Sequence, residues 1–329
     1  MKLIIDGYGK TIHKKDNQIL IKQKGEEIYR ISARKVTDIT ISGKGKISFD
    51  AISLISKKDI PVIGINYFGQ IEYIITSPNG DITLKKEQYK CSDNQKGAIL
   101  AKKFILSKLK NQKATLRTLN KNKKIPKVKE KEYAINRSIK DLEKLKLEDS
   151  NIKNKIMGIE GKSSAEYWNA ISLILPEKIN FKNRNQKPIN DVVNSALNYG
   201  YAILASQITQ SIIRKRLDPY CGFLHADRNR RASLTFDIIE EFRQQIVDKT
   251  VLKLVNKGKL TENQIDKRNN ALNLETRKLL AGNILDKLYS NIHYDNRKLN
   301  YLEIIDIQVE NIVKFLLYGI EFDAFYLGW

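Results

Sequence analysis

Residues 70–80, Gln70-Ile71-Glu72-Tyr73-Ile74-Ile75-Thr76-Ser77-Pro78-Asn79-Gly80, divide the chain into two textures. The first half of this stretch is an apolar-rich strand pattern. The second is the strongest turn signal in the sequence, because proline fixes φ and glycine accepts backbone angles that other residues avoid. Upstream, Leu3–Ile5, Gln18–Ile21, Glu27–Ile31, Val36–Ile41 and Pro61–Ile65 are short alternating or apolar runs, as strands require. Asp16-Asn17, Lys24-Gly25 and Asn66 to Gly69 punctuate them. Residues 48–57 carry Phe49, Ile52 and Ile55 at helical spacing, which predicts one short helix. Downstream of Asn94 the period changes. Ile105, Leu109, Leu116 and Leu119 share a helix face, as do Ile135, Ile139 and Leu142, with Pro126 marking a loop between two basic helices. Further helices are predicted over Ala165–Leu175, Asn190–Arg216, Ser233–Asn256, Leu272–Tyr289 and Tyr301–Tyr318. The expected fold is therefore α+β: a small N-terminal β domain with one short helix (1–78), a linker (79–94) and a large all-α domain (95–329).

Composition agrees with a chain dominated by helix. Its 329 residues suit about two domains of ~150 residues each. Glycine and proline total 23, about 7% against a usual ~12%, which disfavours a turn-rich β sandwich. With 41% apolar residues the chain can bury a core, excluding global disorder. Cys91 and Cys221 are the only cysteines, so no disulfide framework is implied and a reducing compartment is expected. The opening MKLIIDGYGK has too short an apolar run for a signal peptide, and no stretch approaches 18 apolar residues. A soluble cytoplasmic protein without membrane attachment follows.

Charge narrows the function. Lys and Arg number 59 against 37 Asp and Glu, a formal net charge of +22. A lysine-rich composition bias explains part of this, since Asn and Ile are abundant as well. The excess is concentrated, however: residues 101–155 hold 18 basic and six acidic side chains. Such a segment suits a polyanion whose counterions it displaces. No aromatic platform interleaves these lysines, so contact with a nucleic-acid backbone is expected rather than base stacking.

Two phosphate-loop imitations fail. Gly9-Lys10-Thr11 lacks the required glycine five residues earlier, where Ile4 stands, and Gly43-Lys44-Gly45 lacks a third glycine at Ser48. With the cysteines 130 positions apart, no thiolate zinc site is supported. Histidine is scarce: His13, His225 and His293 only. His225 ends the punctuated stretch Asp218–Leu224 and precedes a helix with Leu234, Ile238, Ile239, Phe242 and Ile246 on one face. At 100° per residue Asp237, Glu240, Glu241 and Asp248 fall opposite. Asp237 and Glu240, three apart, can point at one volume that His225 can reach. Carboxylates with an imidazole suit magnesium or manganese; a solvated acidic face is the alternative. Glu160 lies between Gly158 and Gly161, with Ser163 and Glu166 spaced as a capping box for the helix that follows. It reads either as a ligand or as loop polarity.

Four stretches then occur in order: Ile159-Glu160-Gly161-Lys162 followed by Tyr167; Asn198-Tyr199-Gly200-Tyr201; Gly222-Phe223-Leu224-His225; and Ser233 through Arg243. With the opening Asp6-Gly7-Tyr8-Gly9, this set closely resembles the CRISPR-associated integrase-nuclease family, CRISPR-associated protein one, along the whole chain. The resemblance implies a β domain, a linker and a helical catalytic domain, and a Mg2+ or Mn2+ site formed by Glu160, His225 and Glu240. Asp237 matches an acidic position that contributes in some members, so its part beside Glu240 stays open. The implied reaction is attack by the 3′-hydroxyl of a short DNA fragment on a phosphodiester of a recipient duplex, with hydrolysis when water attacks. His225 should bind metal as neutral imidazole, so activity should fall in acid. Lys162, Arg230, Arg231 and Arg243 are candidate phosphate contacts, and Tyr167 and Tyr199 candidates to position a strand end. Arg243 also suits a pair with Glu240 or Glu241 one turn away. The implied partners are double-stranded DNA with free 3′ ends, a second copy of the chain joined through the β domain, and CRISPR-associated protein two. Competing readings are the related transposase of mobile elements, a branched-DNA nuclease, and a non-catalytic DNA-binding scaffold.

Overall fold

The computed structural model describes residues 1–66, 71–78, 80–149, 151–185, 191–225, 232–266 and 271–328. Eight strands and one helix form the N-terminal region: β1 (Lys2–Asp6), β2 (Lys10–Lys15), β3 (Gln18–Gln23), β4 (Glu26–Ser32), β5 (Asp38–Ser42), β6 (Gly45–Ile47), α1 (Phe49–Lys57), β7 (Val62–Ile65) and β8 (Ile71–Ile75). One sheet has the order β1-β5-β7-β8, with β8 antiparallel at its edge; the other runs β4-β3-β2-β6. Leu3, Ile19, Ile39, Ile55 and Val62 pack between them. The strand at Lys10–Lys15 escapes the sequence pattern because Ile12 is its one buried residue. In α1 the side chain of Ser48 caps the helix, Ala51, Leu54 and Ile55 turn inward, and Phe49 is 90% exposed rather than part of the apolar face.

The remaining chain comprises α2 (Ile82–Ser92), α3 (Gln95–Asn120), α4 (Pro126–Lys144), α5 (Ile152–Ile174), α6 (Val192–Arg214), α7 (Ser233–Ile238), α8 (Lys249–Asn256), the short pair β9 (Ile265–Asp266) and β10 (Ala271–Leu272), α9 (Leu274–Tyr289), the hairpin β11 (Asn291–Tyr294) and β12 (Arg297–Asn300), and α10 (Tyr301–Tyr318). It is mostly rather than wholly helical. Asp295 and Asn296, at φ +50° and +57°, form the tight turn between β11 and β12. Residues 82–92, expected within a linker, are a helix capped by Asp81. Its Gln88 carboxamide donates to the backbone carbonyls of Asp218 (2.8 Å) and Cys221 (2.9 Å) and accepts from the Asp218 N–H. One buried amide thus ties an otherwise polar helix to the loop that leads to His225.

Three departures concern the site. Helix α5 starts at Ile152, well upstream of Ala165, and runs through Gly158 and Gly161, whose absent side chains face open space. Mid-helix glycine costs about 1 kcal/mol relative to alanine, which the buried face carrying Ile156, Tyr167 and Ile171 offsets. Ser163 is accordingly no cap: it is buried and its hydroxyl donates to Gln112 Oε1. Residues 233–256 are not one helix, since α7 passes into a 3-10 turn (Ile239–Glu241) and a π turn (Gln244–Asp248) before α8. The change of backbone pairing rotates the acids away from a common face.

The two regions meet through Arg214 of α6, which bonds Asp38 of β5 (2.6 Å) and Asp306 of α10, and through Gln210 and Thr40. A cleft of about 1840 Å3 opens beside this junction, with β8 on one side and residues of α3, α5, α6 and α7 on the other.

Candidate active site

Glu160 comes from α5 and Glu240 from the 3-10 turn, yet both carboxylates meet one ammonium. Lys108 of α3 is bonded by Glu160 Oε1 and lies 2.8 Å from Glu240 Oε2. The Ser164 hydroxyl donates to the same Glu160 oxygen (2.7 Å), and Arg243 Nη2 approaches Glu240 Oε1 at 3.0 Å. Burial alone would raise the Glu160 carboxyl. The charge and hydrogen bond of Lys108, the Ser164 hydroxyl and Arg243 outweigh it and hold that carboxyl at about 2. Burial opposes the charge on Lys108, but Glu240 and Glu160 together raise it. The site thus contains a carboxylate pair bridged by the Lys108 ammonium, with the Arg243 guanidinium on the far oxygen of Glu240.

Asp237 does not join that pair. It is wholly buried, and its Oδ2 accepts the backbone N–H groups of Phe223 (2.5 Å) and Leu224 (3.0 Å). Its Oδ1 accepts the His225 N–H (3.1 Å) and faces His225 Nδ1 at 2.6 Å. A carboxylate beside Nδ1 favours the proton there and leaves the lone pair on Nε2, the form that binds a cation or accepts a proton. Gly222 is required by this arrangement, because a Cβ would lie 2.8 Å from Ser233 Cβ and 2.9 Å from Asp237 Oδ2. His225, Glu160, Glu240, Arg243 and Tyr199 all line the cleft. Among the described residues, however, no three His, Cys, Asp or Glu side chains are closed into a metal-binding shell. The donors face one space without converging on one point.

The other candidates separate. Tyr167 is fully buried and donates to Asp248 (2.9 Å), so it is a core residue rather than a contact for a strand end. Lys162 is exposed on α5, outside the cleft lining. The guanidinium of Arg243 is engaged by Glu240 and stacked 4.5 Å over the Tyr201 ring. Arg230 and Arg231 lie outside the described residues. His13 and His293 sit on β2 and β11, away from the cleft.

Residues 3–284 match the family model described as CRISPR associated protein Cas1. The chain belongs to this family. It is 49% identical to a CRISPR-associated protein Cas1 of Methanobrevibacter ruminantium and 34% identical to a CRISPR-associated endonuclease Cas1 of Archaeoglobus fulgidus, in both cases over the full length of each chain. Among solved structures, a casposase bound to integration product has a TM-score of 0.79 at 24% identity, covering 98% of this chain and 92% of that one. A Cas6-RT-Cas1–Cas2 complex gives 0.79 at 18% identity over 99% of this chain and 36% of the other. At these identities the structural matches are likenesses of fold. No helix among the described residues is long and apolar enough to cross a membrane.

Sequence reasoning on this Cas1 chain missed Lys108, counting it only as one basic residue among many. The signal was present: Ile105, Lys108, Leu109, Gln112 and Leu116 follow helical spacing, which places a lysine in the buried stripe of α3. Arg184 was missed too. It lines the cleft over the Tyr201 ring (5.5 Å), with Nη1 held by Asn194 Oδ1 (2.9 Å).

All four acids read as one face are buried, each with its own partner. Glu241 Oε2 accepts the Phe325 N–H (2.5 Å) from the C-terminal segment, and Asp248 accepts the hydroxyls of Tyr167 and Tyr201. Burial pushes Glu241 up to about 8, only partly opposed by the Phe325 N–H. Burial likewise lifts Asp248 to about 6 against its tyrosine hydrogen bonds and the charges of Arg243 and Arg184. An acid with a raised folded-state pKa binds its proton more tightly when folded. The associated stability is complete below its unfolded value and is lost as pH rises through the folded one. For Glu241 that window runs from 4.5 to about 8. Glu241→Gln should remove on the order of 3 kcal/mol of the stability loss between about pH 6 and 9. Urea midpoints measured across that range check it; equal slopes for variant and wild type would exclude Glu241 as the source.

Proposed function

We propose that this Cas1 chain is a metal-dependent DNA integrase and endonuclease of CRISPR adaptation, acting in the cytoplasm on double-stranded DNA with free 3′ ends. The observation that carries the reading is the convergence of Glu160 and Glu240, from distant parts of the chain, on one cationic charge in a cleft that also receives the oriented imidazole of His225. Two carboxylates and an imidazole are a donor set for Mg2+ or Mn2+, and the space between the carboxylates already holds a full positive charge, so the residues fit such an ion. Glu160, Glu240 and His225 would hold it, with Asp237 fixing the His225 ring. Bound there, a divalent cation supplies Lewis acidity toward a phosphodiester.

The chain's own residues account for the rest. The basic surface of α3 and α4 attracts the DNA backbone without reading sequence. Tyr199 and Arg184 line the cleft beside the carboxylates, where a strand end would lie. His225 Nε2 is the atom able to accept a proton. No side chain is needed as nucleophile, since the attacking oxygen belongs to DNA or water. Proteins of similar fold support the partners: a casposase is bound to integration product, and a Cas6-RT-Cas1 protein stands in a complex with Cas2. A second copy joined through the N-terminal sheets, together with Cas2, completes the proposed assembly.

The test is joining of a labelled short duplex with free 3′-hydroxyls to supercoiled plasmid in Mn2+ or Mg2+. Joined product that disappears with EDTA is expected. DNA binding without joining or cutting, even with Cas2 added, would leave a scaffold.

A further inference from the structure

We propose that Lys108 is a built-in counter-cation: its ammonium holds the position between Glu160 and Glu240, and a divalent ion must displace it to bind there. The inference rests on the carboxylate-centre reading above. Lysine is seldom buried unless paired, and here a side chain only 9% exposed has two carboxylate partners. Arg243 adds a second cation on the other oxygen of Glu240. Two negative charges therefore face two positive ones, and the centre is electrically balanced as it stands. This also explains why Glu160 and Glu240 lie together without repelling each other. It is consistent with the absence, among the described residues, of a closed three-ligand shell.

A divalent ion entering the same place meets Lys108 as a like charge at close range, in a site where burial weakens screening. Because the lysine stem is flexible and lines the cleft, the ammonium can swing out from between the carboxylates. The lysine would thus set the concentration at which metal loads and keep the carboxylate pair assembled until it does.

The test is Mn2+ binding to the full chain without DNA, read from the electron paramagnetic resonance signal of free Mn2+. Wild type is compared with Lys108→Met, Lys108→Gln, Glu160→Gln and Glu240→Gln. Both lysine variants should bind Mn2+ about tenfold or more tightly than wild type, while both glutamate variants lose binding. Without metal, Lys108→Met should melt below wild type, and Mn2+ should restore it by a larger shift. Lys108→Gln keeps a donor between the carboxylates in case the methionine variant does not fold. Lysine variants that bind no tighter than wild type, with glutamate variants that lose binding, would overturn the role of Lys108 and leave the centre intact. Glutamate variants that bind as wild type does would sink the centre itself, and this inference with it.

Discussion

Glu160→Gln and His225→Ala should each reduce joining of duplex ends to plasmid by about 10²–10³-fold or more, with DNA binding retained. Glu160→Gln preserves shape and removes one charge, leaving Lys108 and Arg243 facing Glu240 alone, so the locus no longer favours an added cation. His225→Ala removes the one imidazole in the cleft. Its loop keeps its anchor, because the Phe223 and Leu224 N–H groups remain bonded to Asp237. Neither change lessens attraction to DNA in a chain of net charge +22. Joining rates measured beside Kd for the same duplex decide the matter. Joined product at the wild-type rate in Glu160→Gln would remove that carboxylate from the chemistry. Parallel loss of joining and binding would point to misfolding.

How much of this was legible in the sequence depends on which physical signal each feature leaves. The passage from strands to helices around Ser77–Gly80 was visible because apolar periodicity and turn chemistry are local, and Tyr301–Tyr318 could be read to the residue. The strand at Lys10–Lys15 was not, because its polar side chains conceal a pairing that only its neighbours dictate. Glu160, between Gly158 and Gly161, was read as a ligand or as loop polarity, whereas both glycines lie within α5 and face open space, their cost to the helix offset by its buried face. The acids at 237, 240, 241 and 248 were placed on one face by a fixed 100° step. The 3-10 and π turns break that step, and a change of backbone hydrogen-bond register leaves no periodic trace in composition. Glu160, His225 and Glu240 were brought forward by their motif order, and the fold places all three in one cleft. Lys108 and the tyrosine pair on Asp248 depend on contacts between helices far apart in sequence.

Asp237→Asn should lower both stability and activity, and it separates positioning from ligation. Asp237 accepts three backbone N–H groups and faces the His225 ring nitrogen, so a fully buried charge is satisfied entirely by one loop and its histidine. Asparagine offers one accepting oxygen and an NH2 group that must face a donor. Hydrogen bonds to charged groups contribute about 1.5–3 kcal/mol each, so a destabilisation of about 2–4 kcal/mol is expected. A second effect acts on the chemistry. An amide N–H opposite Nδ1 makes that nitrogen an acceptor and moves the ring proton to Nε2, which then has no lone pair for a cation or a proton. Joining by the folded fraction should fall by a further 10–100-fold, roughly the loss when the group orienting a ligand is removed. Urea denaturation, joining rates well below the melting temperature and 15N chemical shifts of the His225 ring measure the three consequences separately. A positioning residue should leave Mn2+ binding weakened but present in Asp237→Asn, with the ring tautomer inverted. If instead the variant loses Mn2+ as completely as Glu160→Gln while the His225 tautomer is unchanged, Asp237 itself would be a ligand, and its bonds to Phe223, Leu224 and His225 would have to open when the ion binds.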